Sequence, residues 1–392
     1  MPTSTRGPVT TAERALAPDL ARGLMLLLIV LSNAAFFLWS ADYDGQYPAP
    51  TGPADSAVQF LQILVLDVRV YPLFAFLFGY GMTQLYRRQI AAGASERDAT
   101  ALLRRRSGWL LVFGFAHAAL LLPSDVLGSY GVISFFLGWL FLRRTDKTLL
   151  TWSAVGTTLL ALLLISGVVL AISTSGAPAE SAPSSAAISG TGEENYLLAA
   201  VMRLAMWTVL VLLNTFGITA PVAMLLGIWA ARRRILEEPH RHLPLLRRIA
   251  ITGIALGWLG SLPAALDRID VLPPVNELAL MGMQWPTGLA GGIGYVALFG
   301  LLASRISPKA VVAISAVGKR SLSSYLTHSL LLGPVLAAWG LGLGAHLTSA
   351  TMAAYAVGAW LVTVAAAHWL ERRGIRGPAE TALRRLVYRR PQ

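Results

Sequence analysis

His117 is the side chain in this sequence best suited to moving protons near neutral pH, because an imidazole both takes and gives a proton there. It lies 11 residues beyond Arg106 in an apolar run, and the chain then turns at Pro123-Ser124-Asp125 and returns through Tyr130. Tyr130 is about as far past Pro123 as His117 is before it. The two are therefore expected to face each other across a tight hairpin, with Asp125 at its outer mouth. Asn33 stands 11 residues beyond Arg22. At about 1.5 Å per helical residue that puts an amide ~16 Å along, at the depth of His117. A polar group at that depth must find partners. Asn33 serves either as a helix–helix hydrogen bond or as a lining group of a polar cavity.

Three further constellations stand out. Asp67-Val-Arg69 places an acid and a base two apart, on different faces of a helix; Arg69 either snorkels outward or holds an anionic group of a substrate. Tyr325 and His328, with hydroxyls alongside, enter a later span from the inner side. His240, His242 and His368 read as solvated or interfacial. The sequence holds no phosphate-binding glycine loop, no HExxH, no GxSxG and no multi-histidine metal cluster, and the absence of cysteine removes thiolate chemistry, disulfides and Cys-based metal sites.

The elements that must position these residues are membrane helices. Of 392 residues 55% are hydrophobic and 13% charged, against roughly 25% charged in soluble domains. Apolar runs fall at about 16–40, 57–86, 107–122, 126–142, 148–172, 197–231, 249–267, 286–304, 321–340 and 350–370. Most are near the ~20 residues a crossing needs, and the second and sixth are too long for one straight crossing. Read as ten crossings, they leave 29 of the 32 Lys and Arg on one side. The positive-inside rule then puts both termini in the cytoplasm. The exceptions are Arg69, Arg203 and Arg268, which mark places to look for function. The expected fold is an all-α polytopic bundle of about ten transmembrane helices forming one domain, 1–392, in the plasma or inner membrane. Pro72 is expected to kink the second run into an outer half (56–70) and an inner half from Leu73. The sixth is read as one crossing, begun by an interfacial helix carrying Arg203 and crossing only after Asn214-Thr-Phe-Gly217. Residues 41–55 read as a structured cap, 174–195 as a flexible extracytoplasmic loop and 371–392 as a basic cytoplasmic tail. The net charge of +12 sits in short loops, so anionic membrane lipids are the expected partner and nucleic acid is excluded.

Five segments in order carry a resemblance: Asp19-Leu-Ala-Arg22-Gly23 with Asn33; Arg69 through Gly79; Gly114-Phe-Ala-His117 followed by Ser124-Asp125-Val-Leu and Tyr130; Val317-Gly318 through Leu326; and Gly377-Pro378 through Tyr388. Across nearly its whole length the chain resembles the YeiB family of bacterial membrane proteins, a domain of unknown function. That family is similar to the transmembrane acyltransferases, including the heparan-α-glucosaminide N-acetyltransferases. They share the Asp-x-x-Arg-Gly then Asn spacing and a Pro-x-Phe-x-Phe-x-x-Gly segment, here Pro72 to Gly79. The resemblance implies transfer of an acyl group from cytoplasmic acyl-CoA, as a co-substrate rather than a resident cofactor, to a sugar, lipid or other small-molecule or glycan acceptor on the far side. The histidine those enzymes place about 11 residues after the Asn falls near Asp44 here, in a loop without histidine, which leaves His117 as the substitute. On this reading His117 is the general base, Asn33 and Tyr130 orient groups or steady an oxyanion, and Asp125 binds the acceptor. Arg69, Asp67, Tyr325 and His328 contact substrate, and Arg22, Arg104, Arg106 and Arg320 take the CoA phosphates, with Lys319 beside them. The rival readings are a multi-pass transporter or exporter and a non-catalytic envelope protein. A continuous passage past Asn33 and His117 would suit group transfer, and a cavity closed on one side would suit transport.

Overall fold

The computed structural model describes residues 16–44, 46–174, 188–303 and 308–388. Arg6, Arg14, Arg305, Arg389 and Arg390 of the basic clusters, and 175–187 of the polar loop, lie outside the described residues. The chain is a bundle of helices: α1 (Leu16–Ala34), α2 (Pro53–Leu61), α3 (Val70–Ala91), α4 (Glu96–Leu120), α5 (Val126–Leu140), α6 (Asp146–Ser173), α7 (Tyr196–Phe216), α8 (Thr219–Arg232), α9 (Leu243–Arg268), α10 (Glu277–Leu302), α11 (Pro308–Lys319), α12 (Ser321–Leu336), α13 (Ser349–Arg372) and α14 (Pro378–Tyr388). Among the described residues the only strands are Tyr43–Asp44 and Tyr47–Pro48, a two-residue antiparallel hairpin.

Among the described residues, seven helical segments are long and apolar enough to cross a membrane: Leu16–Phe37, Pro53–Ala91, Asp146–Ser173, Tyr196–Phe216, Pro239–Arg268, Glu277–Leu302 and Ser349–Arg372. The protein is thus a polytopic helical membrane protein. The expected third, fourth and ninth runs fall short of that measure for different reasons. Helix α4 is long but opens with Glu96, Arg97 and Arg104–Arg106, α5 has 15 residues and α12 has 16.

Contacts gather the basic clusters at one end. Arg232 donates to the carbonyl of Leu142 and to Asp146, Arg87 to the carbonyl of Ala231, and Arg143 pairs with Glu96. Lys319 and Arg320 share Glu371 at the end of α13. The opposite end carries the cap expected over 41–55. There Tyr47 donates to Asp67 at 2.7 Å, and Arg268 and Gln59 both reach the carbonyl of Pro48. Burial and the facing Asp67 carboxylate push the Tyr47 phenol well above its usual range.

One expected break is corrected and another is found in place. The second run does not kink at Pro72. It breaks upstream, where a π-helical turn (Gln62–Leu66) ends and Val68 takes φ 63°, a backbone region that strains a β-branched residue. Pro72 sits in the first turn of α3, where its missing N–H costs nothing. The sixth run breaks at Gly217-Ile218 into α7 and α8, as expected after Asn214-Thr-Phe-Gly217. Helix α7 carries Arg203, packs against α4 and α5, and turns much of its surface outward, with Phe216 80% exposed. Such apolar exposure is what lipid tails cover. The stretch 308–319, expected as an inner loop, is itself a helix packed on α1. The described end of the polar loop is pinned, since Thr191 donates to the carbonyl of Phe36 and accepts at its own carbonyl from Ala338. The tail ends in α14, docked on α4 and α12 with Leu383 and Val387 buried.

Close helix contacts rest on glycine. At Gly257 an added Cβ would meet the Gly291 Cα of α10 at 2.8 Å, so α9 and α10 touch backbone to backbone.

Candidate functional site

Helix α4 ends at Leu120 and α5 starts at Val126, and Asp125 between them works in two directions. Its Oδ2 accepts the Gly128 N–H at 2.8 Å, capping α5. Its Oδ1 meets Nδ1 of His117 at 2.9 Å. Gly114 permits this: a Cβ there would run into Asp125 Oδ2 and the Gly128 nitrogen. The Trp207 indole of α7 adds a third donor to Asp125, at 3.2 Å. On the other side of the imidazole, Nε2 lies 2.7 Å from the hydroxyl of Ser329 in α12. His117, Asp125 and Ser329 are all buried.

The hydrogen-bond logic fixes the proton. Asp125 already accepts two N–H groups, so it acts as the acceptor toward His117 and Nδ1 carries the hydrogen. Nε2 is then left to accept from Ser329. A hydroxyl, an imidazole and a carboxylate in this order have the chemistry to serve as nucleophile, base and orienter. Tyr325, one turn before Ser329, packs its ring 5.0 Å from that of His117.

The expected partners of His117 are mostly elsewhere. Tyr130 does not face it; its hydroxyl donates to the carbonyl of Tyr71 at 2.7 Å, and its ring lies 4.8 Å from Phe74. Asn33 is the next-to-last residue of α1, beyond the depth of His117, and accepts from Ser124 at 3.0 Å in the α4–α5 turn. Asp125 is not an exposed mouth residue but is 1% exposed. His328 turns away toward Thr363, 3.0 Å from its Nε2. Asp67 and Arg69 lie apart from Tyr325 and His328. Arg69 is fully buried and donates to the carbonyls of Ile63, Asp67 and Gly257 and to Ser261, closing the break between α2 and α3. Arg203 is equally buried. It reaches the carbonyls of Ala118 and Ala119 at the end of α4, between the rings of Tyr196 and Trp339. Arg203, and Arg69 at Ile63 and Asp67, satisfy carbonyls that a helix end or break leaves without partners, while the Gly257 carbonyl that Arg69 also reaches lies inside α9.

Ser329 was missed because the adjacent His328 looked the stronger candidate. A signal was present: Ser329 stands four residues after Tyr325, and residues so spaced share a helix face.

Beneath this centre, at the basic end, lies a cavity of about 830 Å³. Its upper wall is apolar, with Met25, Phe74, Phe78, Leu110 and Leu127, and it reaches Tyr325. Its lower wall carries Arg22, Arg87, Arg88, Arg106, Arg234, Lys319, Arg320, Arg376 and Arg384 against Asp19, Glu237, Glu371 and Glu380. His117, Ser329 and Asn33 are not among its lining residues, so it forms no passage past them. Arg22, Arg106 and Arg320 line it. Arg104 does not; it is exposed on the far face of α4, over the ring of Phe135. Arg320 is also engaged, with Glu371 at 2.7 Å and the carbonyl of Ile375. The tail helix forms part of the wall. Glu380 accepts from the N–H groups of Leu322 and Ser323, capping the start of α12.

Each of the five segments that carry the sequence resemblance supplies residues to this cavity: Arg22, Phe74, Leu127, Tyr325 and Glu380 are one from each. Comparison with known proteins agrees with that resemblance. Residues 230–390 match the family DUF418, described as a protein of unknown function. Along its length the chain is similar to the uncharacterized protein YxaH of Bacillus subtilis (strain 168), 25% identical over 403 residues, spanning 97% of this chain and 96% of the relative. It is also similar to the uncharacterized protein YeiB of Escherichia coli (strain K12), 28% identical over 397 residues, spanning 96% and 97%. The chain therefore carries a DUF418 domain and is distantly related in sequence to both proteins over nearly its full length. The matched region holds Ser329 and Tyr325; His117 and Asp125 precede it.

Proposed function

We propose that this protein is a membrane-embedded acyltransferase with ten crossings and cytoplasmic termini in the plasma or inner membrane. It draws acyl-CoA from the basic cavity and transfers the acyl group, through Ser329 and His117, to a hydroxyl or amine of a sugar, lipid or other metabolite. The observation that carries this reading is the relay Ser329–His117–Asp125 directly above an anion-attracting cavity, with Tyr325 common to both.

The donor's phosphates fall to Arg106, with Arg22 beside it already paired with Asp19 at 2.8 Å. Lys319 and Arg320 share the single carboxylate of Glu371, which offsets one of their two charges. Among the described residues Arg106 has no carboxylate partner; it lies over the Phe78 ring at 4.8 Å and close enough to Arg22 for mutual repulsion. An anion between the two would relieve that repulsion. In the first half-reaction, His117 Nε2 takes the Ser329 proton while Oγ attacks the thioester carbonyl. The C–S bond breaks, the thiolate leaves with the proton from Nε2, and the acyl group rests on Oγ. In the second, His117 takes the acceptor's proton, the acceptor attacks the acyl-serine, and Oγ regains the proton. Asp125 keeps the imidazole in the required tautomer throughout.

Purified protein in detergent tests this with acetyl-CoA and longer acyl-CoAs. Saturable binding is expected, weakened at least tenfold by Arg106→Gln, unchanged by Arg104→Ala and retained by His117→Ala, which loses transfer. Ser329→Ala separates the covalent route from direct attack by the acceptor, since only the former is lost. Failure of every acyl-CoA to bind would overturn the reading. A second reading, export of a small molecule or lipid, is favoured by one observation: the cavity is closed above, beneath Tyr325, as an alternating-access site would be. The cavity would then bind its cargo without modifying it.

A further inference from the structure

We infer that Tyr325 is a movable partition between the inner cavity and the buried reaction centre, and that displacing its ring opens Ser329 to the basic end of the protein. Three observations meet on this residue. Tyr325 lines the cavity, whereas His117, Asp125 and Ser329 do not. Its ring lies against the His117 ring, with centroids 5.0 Å apart. It stands one helical turn before Ser329 on α12, so its side chain covers the cavity-facing approach to that hydroxyl.

Its hydroxyl accepts the Val126 N–H at 3.4 Å and hydrogen-bonds the Asp125 carboxylate. That carboxylate is also served by Gly128, His117 and Trp207, so it keeps three donors when the Tyr325 hydroxyl leaves it, and the roomy cavity below can take the ring when it turns. Closed, it keeps the Ser329–His117 pair away from water entering through the cavity. Open, it joins the two compartments on the side where an anionic donor would wait. The purpose of the partition rests on the acyl-transfer reading; its existence does not.

The absence of cysteine makes the test clean. Ser329→Cys is placed alone and with Tyr325→Ala, Tyr325→Leu or Tyr325→Phe, and a membrane-impermeant methanethiosulfonate is added to either side of sealed vesicles. Ser321→Cys on the cavity wall, in the same Tyr325 backgrounds, reports that the cavity is intact. The thiol introduced by Ser329→Cys is expected to react slowly when Tyr325 is kept or carries the Tyr325→Phe change. With Tyr325→Ala or Tyr325→Leu it should react at least tenfold faster, and only with reagent on the basic side. The thiol introduced by Ser321→Cys should react alike in every background. Equal rates at the Ser329→Cys thiol in all backgrounds, or acceleration only from the opposite side, would overturn the inference. No acyl donor enters the assay. A working partition in a protein that binds no acyl-CoA would leave this inference standing and the transfer reading fallen.

Discussion

Arg69 and Arg106 are both held between packed helices, yet they are solvated by different things. Arg69 is fully enclosed and gives its donors to three carbonyls and a hydroxyl around the break between α2 and α3. Arg106 faces a cavity, over an aromatic ring and near a second arginine, with no carboxylate partner among the described residues. The first is a structural cation that substitutes for the backbone donors a broken helix lacks. The second is a cation whose donors remain available to a ligand. Charge inside an apolar bundle is therefore not one signal. What distinguishes the two is whether the guanidinium is consumed by carbonyls at a break or directed into open space.

That contrast breaks most forcefully at Arg69. Arg69→Leu leaves the carbonyls of Ile63, Asp67 and Gly257 without this donor, at about 1–3 kcal/mol each. We expect loss of the monodisperse folded peak on size exclusion in detergent. Arg106→Gln should do the reverse, keeping the folded peak and thermal midpoint while weakening acyl-CoA or free CoA about 10- to 100-fold, the worth of a charge-assisted hydrogen bond of ~1.5–3 kcal/mol. Isothermal titration reads it, and a folded protein with unchanged affinity would remove Arg106 from the binding site. Gly114→Ala tests the α4–α5 contact that sets Asp125 against His117. The added methyl overpacks the hairpin by about 1–3 kcal/mol, and thermal melting should show that loss. Smaller still is Glu380→Gln at the start of α12. It removes a carboxylate cap worth about 0.3–1 kcal/mol and should lower the melting midpoint slightly. Asn33→Ala, losing one half-buried hydrogen bond to Ser124, should cost about 0.5–1.5 kcal/mol. A larger loss of transfer than of stability there would return Asn33 to the reaction centre.

Much of the architecture was legible without coordinates. Hydropathy located the long spans, and the arginine-rich turns predicted which helix ends would gather together. The cap over 41–55 was also expected from its acids and tyrosines. The site was legible only in part. His117 and Asp125 lie eight residues apart across one turn, so a local argument found both, although it placed Asp125 at an open outer mouth rather than in the interior. Tyr130 was assigned to His117 by matching depth alone. Depth along a helix says nothing of rotation about its axis, and Tyr130 points to Tyr71 instead. Arg104 and Arg106 show the same limit: two residues apart, they occupy opposite faces of α4, one over Phe135 at the periphery and one in the cavity.

Read without coordinates, this chain is already a multi-pass membrane protein whose positive charge marks particular helix ends and which has no thiol chemistry to draw on. Those are properties of composition and periodicity, set by what hydrocarbon and charged headgroups tolerate. Only the tertiary structure decided which polar groups meet. Ser329 reaches His117 across 212 residues of chain, because α12 packs beside the α4–α5 hairpin in one rotation. A hydrogen bond near 2.7 Å depends on that rotation in a way that no spacing along the chain encodes.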